Sequence, residues 1–255
     1  MYYRKEYLMD FSRIGANIID LLSTYWQVYL IEGVKNTLSF TCIAVILGVV
    51  LGTIVAMLKM SRFKLVRFLV SLYIEVIRGT PILLQLYIFY FVLPELLPIF
   101  DLSQFMWVAI AMCVNSGAYV SEVIRSGIQA VDKGQTEAAR SLGLNKSQTM
   151  IKIVLPQAIR NILPALGNEF IMILKETSLA STFFLGDLMT SHKIVSGATY
   201  LQLESLIIVG AIYLCITFPL SKLVGWFEKR MSTDKSYKNR KRHKMRQLHS
   251  EKGVF

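Results

Sequence analysis

Charge is scarce in this chain, and acid is scarcer than base. Only 18% of the 255 residues are charged, against about 25% in an average globular protein. Asp and Glu number 17 and Lys and Arg 28, a formal net charge of +11. With 54% apolar residues, so little charge excludes a disordered chain. Cysteine is limited to Cys42, Cys113 and Cys215, each inside an apolar stretch. That excludes a disulfide scaffold and suits buried free thiols. The chain opens on Arg4, Lys5, Glu6, Asp10 and Arg13, with no compact apolar core before a small-residue cleavage site, so a cleaved signal peptide is not expected. No catalytic or metal-ligating set stands out either.

What the chain does have is long apolar runs. A hydrocarbon core of about 30 Å needs about 20 apolar residues per helix. Runs at Val34 to Leu58, about Leu65 to Leu93, Gln104 to Ile124, Leu163 to Leu185, and Leu203 to Phe218 predict five spans. The last extends less apolarly to Phe227; the second is interrupted by Glu75, Arg78 and Pro81. The fold class is therefore all-α, a polytopic membrane protein. Residues 1–33 form an N-terminal extracytoplasmic or interfacial segment, 34–228 the membrane domain, and 229–255 a basic tail.

Basic residues set the direction, because short cytoplasmic loops collect Lys and Arg. Lys59, Arg62, Lys64 and Arg67 follow the first span without an acid, whereas Pro94 to Ser103 holds Glu95 and Asp101 without a base. Val131 to Ile162 carries Lys133, Arg140, Lys146, Lys152 and Arg160, while Asp187 to Glu204 offers Lys193 and His192. One topology fits these alternations: N-terminus outside, C-terminus in the cytoplasm. Tyr25, Trp26 and Tyr29 suit an outer interfacial position. The tail, with Arg240, Lys241, Arg242, Lys244 and Arg246, reads as an anchor on anionic lipid rather than a nucleic acid site, since it offers little aromatic framework beyond Tyr237.

The loop 131–156 is unusually long for a connection between spans. Asp132 and Gln135 have capping-box spacing, as do Asn145 and Gln148. Gly143 stands where a helix would end in the left-handed region, and Pro156 is expected to end the second helix. The product is a helix–turn–helix on the cytoplasmic face. Small Ala138 and Ala139 would let another surface approach, with Glu137 and Arg140 as a polar rim.

Glu137-Ala-Ala-Arg-Ser-Leu-Gly143, ending in Ile153-Val-Leu-Pro156, resembles the EAA loop of ABC importer permeases of the type I fold. Arg78-Gly-Thr-Pro81, Gly134-Gln135, Leu155-Pro-Gln-Ala158, Gly167-Asn168 and Lys175-Glu-Thr-Ser-Leu179 resemble the polar amino acid uptake subfamily. The likeness runs from about Gly33 to Lys229, in order. It implies a subunit of the cell membrane that pairs with a second permease, a copy or a relative. Each would dock an ABC ATPase subunit, and an extracellular amino acid-binding protein would deliver the substrate. Coupling would fall to Gly134, Gln135, Glu137, Ala138, Ala139, Arg140, Leu142 and Gly143. A phosphate-binding loop needs Gly-x-x-x-x-Gly-Lys-Ser/Thr after a strand. The nearest approach, Gly143-Leu-Asn-Lys146-Ser147, lacks the first Gly, the spacing and the strand. ATP and Mg would therefore be bound and hydrolysed by the partner, with no cofactor on this chain.

Ionisable residues at membrane depth cost at least about 2.5–3.5 kcal/mol and normally face a partner or a water-filled path. Glu75 and Arg78 share a helix face, as do Glu122 and Arg125. Arg78-Gly-Thr-Pro81 reads as a kink, with Gly79 packing closely and Arg78 satisfying freed carbonyls. A zwitterion needs a cation, an anion and hydroxyls along its way. Arg78, Thr80, Glu122, Lys175, Glu176, Thr177 and Ser178 are the expected path residues.

Overall fold

A computed structural model describes residues 11–231, and every element among them is helical. The first ten residues and the basic tail beyond Met231 lie outside the described residues. Helix α1 (Phe11–Trp26) passes through a π-helical stretch, Gln27–Gly33, into α2 (Val34–Lys59). Then come α3 (Lys64–Gly79), α4 (Ile82–Tyr87), a π turn Ile88–Val92, α5 (Leu93–Leu96) and α6 (Gln104–Gln129). The loop holds α7 (Lys133–Ser141) and α8 (Lys146–Thr149); the π turn Met150–Val154 leads into α9 (Leu155–Glu176). A 3-10 stretch, Thr177–Phe183, precedes α10 (Leu188–Thr199) and α11 (Gln202–Met231).

Three helical runs are long and apolar enough to cross a membrane: Arg13–Lys59, Gln104–Gln129 and Gln202–Met231. The bent pair Lys64–Gly79 and Ile82–Leu96, broken by 105°, makes up to four. The expected fourth span, around α9, falls short because Asn168, Glu169, Lys175 and Glu176 dilute it. The first run also begins well before Val34, so the segment ahead of the expected first span is helical from Phe11 onward.

The chain divides into two compact units. One comprises Met1–Ser121 with Glu169–Pro219, the other Glu122–Asn168 with Leu220–Phe255, so α6, α9 and α11 contribute to both. The first unit has two apolar clusters. Phe40, Leu86, Val108, Met112, Ile173 and Phe183 anchor one. The other gathers Leu21, Tyr29, Leu188, Val195 and Ile208. Helix α2 lies against α6 through glycine: a Cβ at Gly52 would stand 2.6 Å from Val120 Cγ1 and 2.9 Å from the Gly117 carbonyl oxygen. Gly48 and Gly52 are four apart, the small-xxx-small spacing by which membrane helices bring their backbones together. In the second unit Gly167 leaves room for Val224, and Asn161 Nδ2 donates to the Gly127 carbonyl at 3.4 Å.

Several expectations need correction. Cys42 and Cys215 are exposed on the chain, not buried. Lipid solvates apolar side chains as well as a core does, so an apolar neighbourhood does not mean an interior one. Tyr29 is fully buried, and its hydroxyl meets Ser205 Oγ at 2.6 Å, so it is a packing residue and not an interfacial anchor. Pro156 does not end a helix: it lies within a helical run continuous from Lys146 to Glu176, and the π turn just ahead of it absorbs the change of path.

Candidate functional site

The loop of the second unit is fixed by local chemistry. Asp132 caps α7, but its Oδ1 accepts from the Gly134 amide at 2.7 Å, one residue earlier than a capping box requires. Gly134 makes this possible, because a Cβ there would stand 3.0 Å from that oxygen; Gln135 joins through its backbone N–H to the Asp132 carbonyl. Gly143 has φ +85°, as expected. Its N–H donates to the Arg140 carbonyl at 3.0 Å and the Leu144 N–H to the Ala139 carbonyl at 3.1 Å, the two bonds of a Schellman ending. Asn145 and Gln148 form the full reciprocal box, at 2.9 and 3.0 Å.

This frame sorts the expected coupling residues. Gly134, Gln135, Glu137, Ala138, Arg140, Leu142 and Gly143 are exposed, and Leu142 presents 81% of its surface at the turn. Ala139 turns inward and is buried, so only Ala138 of the pair lies open to a partner.

In the first unit the break after α3 is built around a side chain that the sequence reading passed over. Pro81 has no N–H to offer the Ile77 carbonyl four residues earlier. Gln85 Nε2 donates to that carbonyl at 2.8 Å, to the Thr80 carbonyl at 3.2 Å and to Thr80 Oγ1 at 2.9 Å. Its own oxygen accepts from Asn115 Nδ2 of α6 at 2.9 Å. The expected role of Arg78 in satisfying freed carbonyls therefore falls to Gln85. Thr80 serves the break too, its hydroxyl donating to the Val76 carbonyl at 2.8 Å. Gly79 is not a packing residue in this chain, since a Cβ there meets nothing within 4 Å.

Arg78 is exposed, its guanidinium 5.2 Å from the centre of the Tyr119 ring and within electrostatic reach of Glu169. Lys175 is exposed, Glu176 and Ser178 are half-buried, and the buried Thr177 hydroxyl donates to the Leu174 carbonyl. Glu169 and Glu176 lie seven residues apart, on one face of α9. Each keeps a buried carboxylate oxygen without a hydrogen-bond partner among the described residues. Their spacing was the available signal for Glu169. Glu122 belongs to the other unit, where Arg125 Nη2 meets its Oε2 at 2.7 Å, the pairing expected.

A second polar set ties α1, the π stretch, α10 and α11 together. Asn17 Nδ2 donates to Glu204 Oε1 at 2.9 Å, and Ser205 Oγ lies between the Tyr29 hydroxyl and His192 Nδ1, the latter at 3.1 Å. Asp187 caps α10 through the Met189 amide and also accepts from Thr190 Oγ1. Burial pushes the Asp187 carboxyl up, against the pull of those hydrogen bonds. Burial, helped by Lys193, pushes the His192 imidazole down.

Comparison with known proteins gives the following. Residues 48–233 match the family described as binding-protein-dependent transport system inner membrane component. The arginine transport system permease protein ArtQ of Bacillus subtilis is 40% identical over 217 residues, covering 85% of this chain and 99% of its own. A crystal structure of an amino acid ABC transporter with histidines contains a chain 45% identical, with a TM-score of 0.78, covering 82% of this chain and 96% of that one. The MetNI methionine ABC transporter in an inward-facing conformation shares the fold, at 18% identity and a TM-score of 0.63, covering 78% of this chain and 96% of its own.

Proposed function

The chain belongs to the family of binding-protein-dependent transport system inner membrane components, and on that premise we propose that it is the permease subunit of an ATP-driven importer for a polar amino acid. The observation that carries the coupling half of this reading is the loop 131–156. Capped at Asp132 and Asn145 and turned at Gly143, it offers a rigid, exposed helix–turn–helix to an ATPase subunit. Leu142 and Ala138 would be its apolar contact and Glu137 its polar one. ATP and Mg belong to that partner.

The loop lies in the cytoplasm with the C-terminus, and the N-terminus is outside, in keeping with the alternation of basic residues. Glu75, Arg78 and Lys175 are exposed on this chain within its apolar helices, an arrangement that hydrocarbon penalises. A second permease subunit and a water-filled path between the two would relieve that cost. The path is assigned to Arg78, Lys175, Glu176 and Ser178 with Glu169 added; Thr80 and Thr177 serve it through the backbone they hold, and Glu122 through its pair with Arg125. Closing of the ATPases on ATP would rock the paired permeases. A loaded extracellular binding protein that prefers the ATP-closed state would then give the cycle its direction.

Purification of the tagged chain from its membrane, with identification of what remains bound, tests the reading. An ATPase subunit should be recovered, and Gly143→Asp should abolish delivery-dependent ATP hydrolysis while the membrane part stays folded. Normal coupling in that variant sinks the loop assignment.

A further inference from the structure

The second unit holds a cavity of about 530 Å³ formed by the end of α6, α7 and the α8–π turn. Lys133, Arg140 and Lys146 line it, and among the described residues no carboxylate does. None of the three side chains has a hydrogen-bond or ion-pair partner among the described residues. Lys133, Thr136 and Arg140 follow one another at helical spacing and so share a face of α7. Gln129 also lines the cavity; Arg125 Nη1 donates to its oxygen at 2.6 Å, which leaves the amide N–H groups as donors. Ile128, Val131, Met150 and Val154 supply the apolar part of the lining.

Three like charges around one space repel one another unless something negative lies between them. The apolar part of the lining narrows what that can be. A free inorganic anion has no use for Ile128 and Met150, whereas an anion carried on an apolar body uses both parts of the site. Ile128 stands in the last turn of α6, a helix long and apolar enough to cross a membrane, just past Arg125, which sets the cavity where acyl chains give way to headgroups. We propose that this cavity binds the phosphate headgroup of an anionic phospholipid of the cytoplasmic leaflet, holding α7 against the α8 turn and so setting the pose of the coupling loop. The proposal rests on the reading that this loop lies at the cytoplasmic membrane surface.

The test uses the full chain with its ATPase in nanodiscs of phosphatidylcholine alone or mixed with phosphatidylglycerol, read by amide hydrogen exchange over residues 133–149. Phosphatidylglycerol should slow exchange there. A basic residue near an anionic surface is worth about fivefold in binding, so Lys133→Gln with Lys146→Gln should raise the phosphatidylglycerol needed by about twenty-fivefold. The Lys133→Arg with Lys146→Arg pair should restore the response, which separates lost charge from lost fold. Lys152→Gln, an exposed base of the same loop that does not line the cavity, should respond as the unaltered chain does. An unchanged response in the Gln pair overturns the proposal. Equal protection by inorganic phosphate in phosphatidylcholine makes this a free-anion site and overturns it too. So does loss of the ATPase from the Gln pair with the lipid response intact, which would give these cations to the partner. If the unaltered chain recovers no ATPase, the functional reading fails, while the lipid response remains readable on the chain itself.

Discussion

Gln85→Leu removes the side chain that bridges the 105° break while keeping its approximate volume. The Ile77 carbonyl then loses the donor that replaces the absent Pro81 N–H, and the Asn115 amide, 5% exposed, loses its acceptor. A buried polar group left without a partner costs about 1–3 kcal/mol, so two of them cost about 2–6 kcal/mol. Burying leucine returns about 1.5 kcal/mol, which leaves a net loss of about 0.5–4.5 kcal/mol, centred on about 2.5 kcal/mol. Equilibrium unfolding in mixed micelles measures it. Asn115→Ala strands only the Gln85 oxygen and should cost less. Because the two side chains act as one unit, the double variant should be more stable than the sum of the single losses implies, by about 1 kcal/mol or more. Uptake by Gln85→Leu in the assembled complex should fall with the stability of the break. A Gln85→Leu stability within about 0.5 kcal/mol of the unaltered chain, the level of a neutral surface change, would refute the account, as would simple additivity with Asn115→Ala.

Gly52→Val would put side-chain atoms where Val120 and the Gly117 carbonyl already stand, and overpacking of this kind costs about 1–3 kcal/mol. Its yield of folded protein from membranes should drop, whereas Gly210→Val, at a position open to 4 Å, should not. His192 supplies a pH test. Its imidazole is held below its ordinary value, so as pH falls through about 6.5 the unfolded chain takes up the proton first and stability is lost. Thermal unfolding between neutral pH and pH 5 should show that loss, and His192→Gln should flatten it. Asp187, held above its ordinary value, works the other way, since the folded chain takes up that proton first and is favoured as pH falls. Asp187→Asn should therefore steepen the loss on acidification; a flatter profile would show that the sign is wrong.

The loop 131–156 was legible because its determinants are local. Caps at Asp132 and Asn145 and the left-handed turn at Gly143 depend on spacings of two to five residues, which can be measured along the chain. The break at Pro81 was legible for the same reason. What satisfies the break was not, because Asn115 meets Gln85 across 30 residues of sequence. Nor could apolarity separate inside from outside. Tyr29, Cys42 and Cys215 all sit in oily sequence, yet one is buried and two are exposed. Water makes an apolar residue choose the interior; lipid imposes no such choice. The inward turn of Ala139 was hidden by its identity with Ala138, since which of two adjacent alanines faces the protein is decided by the phase of α7.

Polar residues in apolar helices invite a functional reading, but broken helices require them for a plainer reason. Every carbonyl freed at membrane depth must find a donor within the protein. Thr80 and Gln85 meet that need after α3. These side chains are accounted for by the backbone they satisfy, so their polarity carries no message about a substrate. Glu169 and Glu176 differ. They lie two turns apart on one face of α9, and each keeps a buried oxygen with no donor among the described residues. A structural role would have supplied that donor or placed glutamine there. A path for a molecule bearing an ammonium group has reason to leave the acceptors open. On this argument the two carboxylates are stronger candidates for substrate contact than Thr80 or Thr177, although the hydroxyl pair looks equally inviting in the sequence.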